Sequence, residues 1–436
     1  MYNIHSHYNN IFNYVKNKIK NPKLGYFFPF GSSQVENLEF IGSSESEIFL
    51  LCHDQEPLVL SFNRETLEKY KKITQHEIYQ PVFNEITYYS KTFNQIISYR
   101  VNSFANYTIR SFENYGVNSF VKTVPTILLN TEKDSNQKDK ILKEFDFVDC
   151  YYFYHALAAA DWYRGYQYCF EITPIRSRKI IKKFITFNRI TGSSRIYRAF
   201  FVAKLFEKNL LDCGHISFSK NCPVHGDITN QDNTLNEYSI DKKFYNKMMA
   251  YVLLLPELRI DGQRNEPILN SSFIINAIHE SLESFVHVVT ETCFWEEKKH
   301  LTEKIFKPIV LKQPFILLGC ANNLAYLKEY GFKTFDRWWD ESYDQCQDPI
   351  KRIDMVIQIL EKLCKLSNNK LQEMLIEMEE ILEYNYSLFY SQKFIDGIWN
   401  ELKTNLNTAI AQVSHQTVQG TSIQNHLYTA ENKSLA

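Results

Sequence analysis

Residues 300–320 read HLTEKIFKPIVLKQPFILLGC, a polar turn followed by a short apolar segment and then by a second apolar run. Thr302 is a favourable N-cap, and Glu303 suits the positive end of the helix that would begin there. Residues 315–320 are typical of a short buried strand. Unpaired backbone N–H groups at a helix start, with Lys304 beside them, favour a phosphate. Because the adjacent acid can bind ribose hydroxyls, the stretch predicts a site for a nucleoside diphosphate.

Upstream of this stretch, a strand, a loop of small residues and a helix follow one another. Residues 184–187 predict the strand, residues 188–195 (NRITGSSR) form the loop, and apolar side chains at helical spacing follow at 197–206. This order is typical of the first unit of a nucleotide-binding α/β domain. Alternation of strands and helices elsewhere favours a largely parallel sheet. Further strands are predicted near residues 46–51, 121–129 and 147–153.

The composition excludes several classes of protein. The chain has 436 residues, which corresponds to two or three domains at roughly 100–200 residues each. A formal net charge of −1 gives no overall basic field, so no nucleic-acid partner is predicted. No apolar stretch approaches the roughly 20 residues of a membrane span, and the first residues lack the pattern of a signal peptide. Nine scattered cysteines indicate reduced thiols, so a cytoplasmic location is expected.

Residues 184–388 resemble a family of glycosyltransferases with the two-lobed GT-B fold, common in phages, large DNA viruses and bacteria. The Thr-Glu-Lys element at 302–304 also resembles the donor motif of fucosyltransferases and, more distantly, of exostosin-type enzymes. In the N-terminal half, HDQEPL (53–58) and HALAAADWYRGY (155–166) resemble two further motifs of the same family. The strings that match in the C-terminal half are FNRITGSSRIYR (187–198), VVTET (288–292), HLTEKIFKPIVLKQPFILLG (300–319) and YLKEYGFKTFDRWWDESYD (326–344).

The resemblance implies an α/β protein of GT-B type, in which two Rossmann-like lobes face each other across a cleft and helices follow at the C-terminal end. Residues 1–178 would form the acceptor-binding lobe and residues 179–390 the nucleotide-sugar-binding lobe. Residues 391–412 would form a crossover helix that couples the lobes. The polar residues 413–436, which show no periodicity, are predicted to be a flexible tail.

The resemblance also implies roles for residues of the second lobe. In fucosyltransferase-like enzymes the Glu of the motif binds ribose and the Lys binds the diphosphate, which here are Glu303 and Lys304. A phosphate-binding arginine of the first strand–helix loop corresponds best to Arg195, with Arg189 and Arg198 as neighbours. Pro308 departs from the fucosyltransferase pattern because it removes one helix hydrogen bond, although exostosin-like sequences tolerate a proline here.

Glu291 has two interpretations. It follows an apolar strand, and an acid at the carboxyl end of a strand is placed where such folds bind ligands. The alternative is a helix cap or a salt bridge within the loop. No convincing Asp-x-Asp motif accompanies it, so no metal or cofactor is predicted besides the donor substrate. Without a metal, cations and helix termini would have to stabilise the charge on the departing diphosphate.

An inverting glycosyltransferase needs a general base for the acceptor hydroxyl, and in this fold the base comes from the N-terminal lobe. Asp54 and Glu56 follow a buried strand, and His155 follows an aromatic one. Asp161 lies beside an aromatic pair that could raise its pKa. The alternatives are a hydrogen-bonded structural histidine at 155 and an i,i+3 ion pair between Asp161 and Arg164.

Together these features predict a glycosyltransferase that moves a hexose or deoxyhexose from a nucleotide diphosphate sugar to a hydroxyl of a glycan or glycoconjugate. Inversion without a metal is favoured. One alternative is a retaining hexosyltransferase of the same fold. The other is a catalytically inactive, carbohydrate-binding or virion protein. The expected location is the cytoplasm, including that of a virus-infected host cell.

Overall fold

The computed structural model describes residues 6–18, 24–27, 48–55, 57–58, 125–169, 171–222, 226–228, 238–260 and 274–431. The chain divides into two compact units. The small unit comprises Asn3–Glu132, Asn136–Tyr154 and Ile398–Ala436. The large unit comprises Met1–Tyr2, Lys133–Ser135 and His155–Gly397.

The small unit contains a four-stranded parallel sheet in the order β1-β2-β3-β4. All five residues of β3 are buried, as expected for a parallel strand that is covered on both faces. Tyr8, Ile11, Phe12 and Val15 are buried on one face of α1, which is therefore an amphipathic helix. The elements are α1 (His7–Lys18), β1 (Leu24–Phe27), β2 (Ile48–His53), β3 (Thr126–Asn130), α2 (Asn136–Phe145) and β4 (Phe147–Tyr151).

The large unit contains a second parallel sheet in the order β10-β9-β5-β6, and β7 and β8 form a short antiparallel pair. Its strands are β5 (Lys182–Asn188), β6 (Gly214–Phe218), β7 (Asn221–Cys222), β8 (Gly226–Asp227), β9 (Ser284–Thr290) and β10 (Phe315–Leu318). The helices from here on are α3 (Tyr154–Trp162), α4 (Arg164–Cys169), α5 (Tyr197–Glu207), α6 (Lys242–Leu254), α7 (Ile278–Leu282), α8 (Phe306–Val310), α9 (Asn323–Glu329), α10 (Pro349–Cys364), α11 (Asn368–Glu377), α12 (Glu379–Phe389) and α13 (Gln392–Glu431).

The order of strands in the second sheet creates a topological switch point. From β5 the chain passes through α5 to β6 on one side, and from β9 it passes through α8 to β10 on the other side. The two central strands are direct neighbours, with Thr186 paired to Val288. In open α/β sheets a ligand binds outside the carboxyl ends of the two strands at which the direction reverses. This rule selects the loops that follow β5 and β9.

The α/β class and the parallel sheets agree with the sequence-based prediction, but two boundaries differ. Residues 155–178 belong to the large unit, because α3 packs there. The ring of His155 lies 5.4 Å from that of His300, and the Tyr390 hydroxyl donates to the Tyr163 carbonyl at 2.9 Å. The predicted crossover helix does not end at 412. Instead α13 continues to Glu431, since no proline interrupts residues 413–431.

None of the helices in the described part of the chain is long and apolar enough to cross a bilayer.

Candidate functional site

The first turn of α5 holds the carboxyl ends of β5 and β9 together. The guanidinium group of Arg198 donates to the carbonyls of Ile190 at 3.0 Å, Thr290 at 2.9 Å and Glu291 at 2.9 Å. The hydroxyl of Tyr197 donates to the same Glu291 carbonyl at 2.5 Å. Only 4 % of Arg198 is exposed. Arg198 therefore holds these loops in place through its hydrogen bonds. This structural role replaces the predicted role in phosphate binding.

Glu291 is buried and links the loop after β9 to the turn at Thr302. One carboxylate oxygen accepts from the Thr302 hydroxyl at 2.6 Å and from the Thr292 amide at 3.2 Å. The other accepts from the Thr302 amide at 3.3 Å. Burial raises the pKa of this carboxyl, while Lys304 and Thr302 oppose that shift. Since both oxygens accept hydrogen bonds inside the protein, Glu291 links these two segments.

Gly319 lies directly against this carboxylate. A Cβ at this position would meet the Glu291 Cβ at 3.3 Å and the Asn323 Nδ2 at 2.8 Å. The Asn323 side chain cannot move away easily, because it bonds both the amide and the carbonyl of His300 at 3.1 and 3.0 Å. The glycine therefore permits the close approach of β10 to the loop after β9.

Gly319→Ala is expected to destabilise the protein by about 1–3 kcal/mol, because the added methyl group overpacks a buried site. Chemical denaturation measures this change in the free energy of unfolding. Gly397→Ala is the matched control, since no heavy atom lies within 4 Å of its added Cβ and the residue is inside α13. That control should be stabilising by up to about 1 kcal/mol. Equal stability of the two variants would contradict the packing argument.

Thr302 caps the segment that follows it, as the sequence predicts. Its backbone is extended, and its hydroxyl accepts from the Lys304 amide at 3.5 Å, a long and therefore weak hydrogen bond. The helix is shorter than expected, since a 3-10 turn over Glu303–Ile305 leads into the five residues of α8. Pro308 lies within α8 and contributes no N–H group. A helix dipole this short is weak, so the attraction for an anion rests mainly on Lys304.

The Lys304 ammonium group points back onto the protein. It lies 3.2 Å from the Thr302 hydroxyl, 3.3 Å from the Thr292 hydroxyl and 3.0 Å from a carboxylate oxygen of Glu303. The Lys304 side chain is 30 % exposed, whereas that of Glu303 is buried. Burial acts to raise the pKa of Glu303, but Lys304, His155 and Lys307 outweigh it and hold the pKa at about 2. An ionised pair, open to solvent on the lysine side, therefore lies next to the switch point.

His155 lies in the same cluster, although 148 residues separate it from Glu303 in the sequence. Its ring meets the ring of His300 edge to face. Burial, together with the neighbouring His300 and Lys304, lowers the pKa of His155 to about 3, although Glu303 opposes the shift. The imidazole is therefore neutral at pH 7, as a proton acceptor must be.

The remaining predicted bases have different surroundings. Asp161 is buried and forms an ion pair with Arg164 three residues later, which is the simpler of its two interpretations. Asp54, in the small unit, is fully buried and accepts from the hydroxyls of Tyr8, at 2.6 Å, and Tyr152. Burial raises the pKa of Asp54 to about 6, although both tyrosines oppose the shift. Glu56 lies outside the described residues.

Arg189 and Arg195 are half-buried in the loop after β5, at the switch point, as predicted. In the same loop Ser193 has a φ of 53°, a left-handed conformation that non-glycine residues rarely adopt. Strain of this kind concentrates at functional sites.

Sequence reasoning missed Trp295, whose indole nitrogen donates to the Ser194 carbonyl at 2.8 Å. Its position four residues after Glu291 is the one signal that could have identified it.

Comparisons of the chain with protein families, curated proteins and solved structures find no match.

Proposed function

We propose that this protein is a glycosyltransferase that transfers a hexose or deoxyhexose from a nucleotide diphosphate sugar to a hydroxyl group of a glycan or glycoconjugate. The observation that supports the proposal best is the position of Lys304. Its ammonium group bonds Thr292, in the loop after β9, at one of the two strand ends where a doubly wound sheet binds its ligand. Arg189 and Arg195 follow the neighbouring strand β5, and guanidinium groups bind phosphate well.

The proposal includes a GT-B arrangement of the two units. Its support is that each unit has its own four-stranded parallel sheet. The large unit would hold the nucleotide-sugar donor, and the small unit would contribute acceptor contacts. The general base would be Asp54, Glu56 or His155, since Asp161 is paired with Arg164. We further propose an inverting reaction that requires no metal. The product anomer, determined by NMR, distinguishes this from a retaining hexosyltransferase.

Lys304→Met is expected to weaken the binding of nucleoside diphosphates by roughly 10- to 100-fold. The reason is that one charge-assisted hydrogen bond contributes about 1.5–3 kcal/mol, and about 1.4 kcal/mol corresponds to a factor of ten. Isothermal titration calorimetry with GDP, UDP, dTDP and inorganic pyrophosphate measures the change in Kd. Methionine retains the length of the side chain, so the comparison isolates the charge.

Lys299→Met is the matched control for this experiment. Its ammonium group binds Asp134 and Glu329, both at 2.8 Å, and it lies three residues before Thr302 in the sequence. The Kd of the control should stay within about twofold of the unmodified protein. Equal Kd values for the Lys304 variant and the unmodified protein would contradict the assigned site. Turnover of a sugar nucleotide by the unmodified protein distinguishes an enzyme from an inactive carbohydrate-binding protein.

A further inference from the structure

Trp295 connects the two loops of the switch point. It belongs to the loop after β9, and its indole nitrogen donates to the carbonyl of Ser194, in the loop after β5. Thr292, three residues earlier, accepts from the Lys304 ammonium group. Three residues span at most roughly 10–11 Å of extended chain. A ligand whose phosphates contact Lys304 therefore has this indole within the reach of one nucleoside.

Neighbouring aromatic residues fix the orientation of the indole ring. Phe294 stacks on Tyr197 with centroids 4.0 Å apart and planes at 13°, and both of these rings are buried. The rings of Phe294 and Phe200 then meet Trp295 edge to face, at 5.2 and 6.4 Å. Together with the hydrogen bond to Ser194, these contacts hold the ring without enclosing it. A rigid and incompletely covered indole is what a stacking surface requires.

Tyr238 supplies a second aromatic surface. Its ring lies roughly parallel to Trp295, with centroids 5.3 Å apart and planes at 23°. Both residues are only partly buried, unlike the completely buried Tyr197 and Phe294 below them. Two roughly parallel, partly exposed rings therefore lie together, one from the loop after β9 and one from the segment before α6.

We infer that the stacked pair of Trp295 and Tyr238 is the stacking surface for the base of the nucleotide, which lies against an outer face of this pair and not between the two rings. The phosphates then lie at Lys304 and the nucleoside extends along the loop after β9. The indole nitrogen is already bonded to Ser194, so Trp295 recognises a base through its face alone. Every base has such a face, so both purines and pyrimidines gain affinity from this contact. The inference rests on the proposed function and assigns the nucleoside end of the same site.

The test compares Trp295→Leu with the unmodified protein, using GDP, UDP and inorganic pyrophosphate as separate ligands. Stacking of one base corresponds to about 1–3 kcal/mol, which is roughly a 5- to 150-fold change in Kd. We therefore expect Trp295→Leu to weaken the binding of GDP and UDP by at least fivefold and to leave the Kd of pyrophosphate unchanged. Trp295→Phe retains an aromatic face and should stay within about threefold of the unmodified protein.

The outcomes separate the inference from the proposed function. Lys304→Met should weaken all three ligands, since it removes a phosphate contact. If Trp295→Leu weakens the binding of pyrophosphate as much as that of GDP, the indole has only a structural role. The inference is then overturned, whereas the proposed diphosphate site is not affected. Unchanged GDP and UDP affinities overturn the inference in the same way. If the unmodified protein binds none of the three ligands, both the inference and the proposed function are overturned.

Intrinsic fluorescence provides an independent readout. A base that stacks on Trp295 should quench the indole emission, whereas pyrophosphate should not. The quenching by GDP should disappear in Trp295→Phe and persist in Trp338→Phe. Trp338 serves as the control because its indole nitrogen bonds Glu377 on the surface at 3.2 Å. GDP quenching that persists unchanged in Trp295→Phe would overturn the inference.

Discussion

Lowering the pH from 7 to 5 is expected to reduce the free energy of unfolding of the large unit by about 4 kcal/mol. Burial lowers the pKa of His155 and of His287 to about 3. The unfolded chain, with a histidine pKa near 6.5, binds a proton at each position below pH 6.5, whereas the folded chain does so only near pH 3. Each pH unit below 6.5 therefore removes about 1.4 kcal/mol per histidine. Glu291, whose pKa burial raises, acts in the opposite direction.

The small unit should be less sensitive to acid over the same range. His7 has a pKa of about 3 because it is buried, so it also destabilises the fold as the pH falls. Asp54 has a pKa raised to about 6, so the folded state takes up its proton before the unfolded state does. Protonation of Asp54 stabilises the fold between about pH 6 and pH 4 and partly offsets the loss at His7.

Urea denaturation at pH 7, 6 and 5 and at constant ionic strength tests this prediction. His287→Leu should reduce the pH dependence of the large unit, because it removes one of the buried histidines whose pKa is lowered to about 3. His279→Gln is the control, since it removes a histidine whose side chain is 81 % exposed, and it should change the pH dependence less than His287→Leu does. The same midpoint at pH 5 and pH 7 in the unmodified protein would contradict the argument.

Arg198→Met is expected to destabilise the large unit by about 3 kcal/mol or more. Methionine retains much of the aliphatic stem, but the carbonyls of Ile190 and of the buried Thr290 lose their charged donor. A buried polar group left without a partner costs about 1–3 kcal/mol. Calorimetric melting measures the effect. Arg198→Lys should be almost as unstable, because one ammonium group cannot span carbonyls that a planar guanidinium bridges.

Arg195→Met is the matched control for this variant. It lies in the same loop and is only half-buried, so its loss should reduce the free energy of unfolding less than the loss of the buried Arg198 does. The proposed function assigns Arg195 to the phosphates, so this variant should instead weaken pyrophosphate binding. If the two variants melt at the same temperature, the structural role of Arg198 is refuted.

Arg195 and Arg198 show which features could be predicted from the sequence and which could not. The strand, loop and helix around them could be predicted from apolar spacing and small residues, and the structure has all three. Residues 195 and 198 have the same chemistry and lie less than one helical turn apart. Which of them faces the sheet depends on where α5 begins and how it packs, and helix boundaries are uncertain by a few residues. The sequence therefore predicted the strand, loop and helix around these residues better than the contacts of each side chain.

Glu291 and His155 illustrate the same limit for groups that are distant in the sequence. The position of Glu291 after β9 was predictable, but its use depends on the hydroxyl of Thr302, which reaches it only after the loop folds back. His155 was predicted as an isolated candidate, and its neighbours His300 and Glu303 come from a segment far along the chain. Local periodicity contains no information about such pairings.

The ion pair between Glu303 and Lys304 has a consequence for selectivity among anions. The lysine already has a resident counter-ion at 3.0 Å, and an incoming anion must compete with that carboxylate in a partly desolvated position. A singly charged ion such as chloride attracts the Lys304 ammonium group little more strongly than the Glu303 carboxylate that already pairs with it. A multiply charged group that also accepts a hydrogen bond from the Thr292 hydroxyl competes far better. Under the proposed function, the pair therefore favours multiply charged ligands over small monovalent anions.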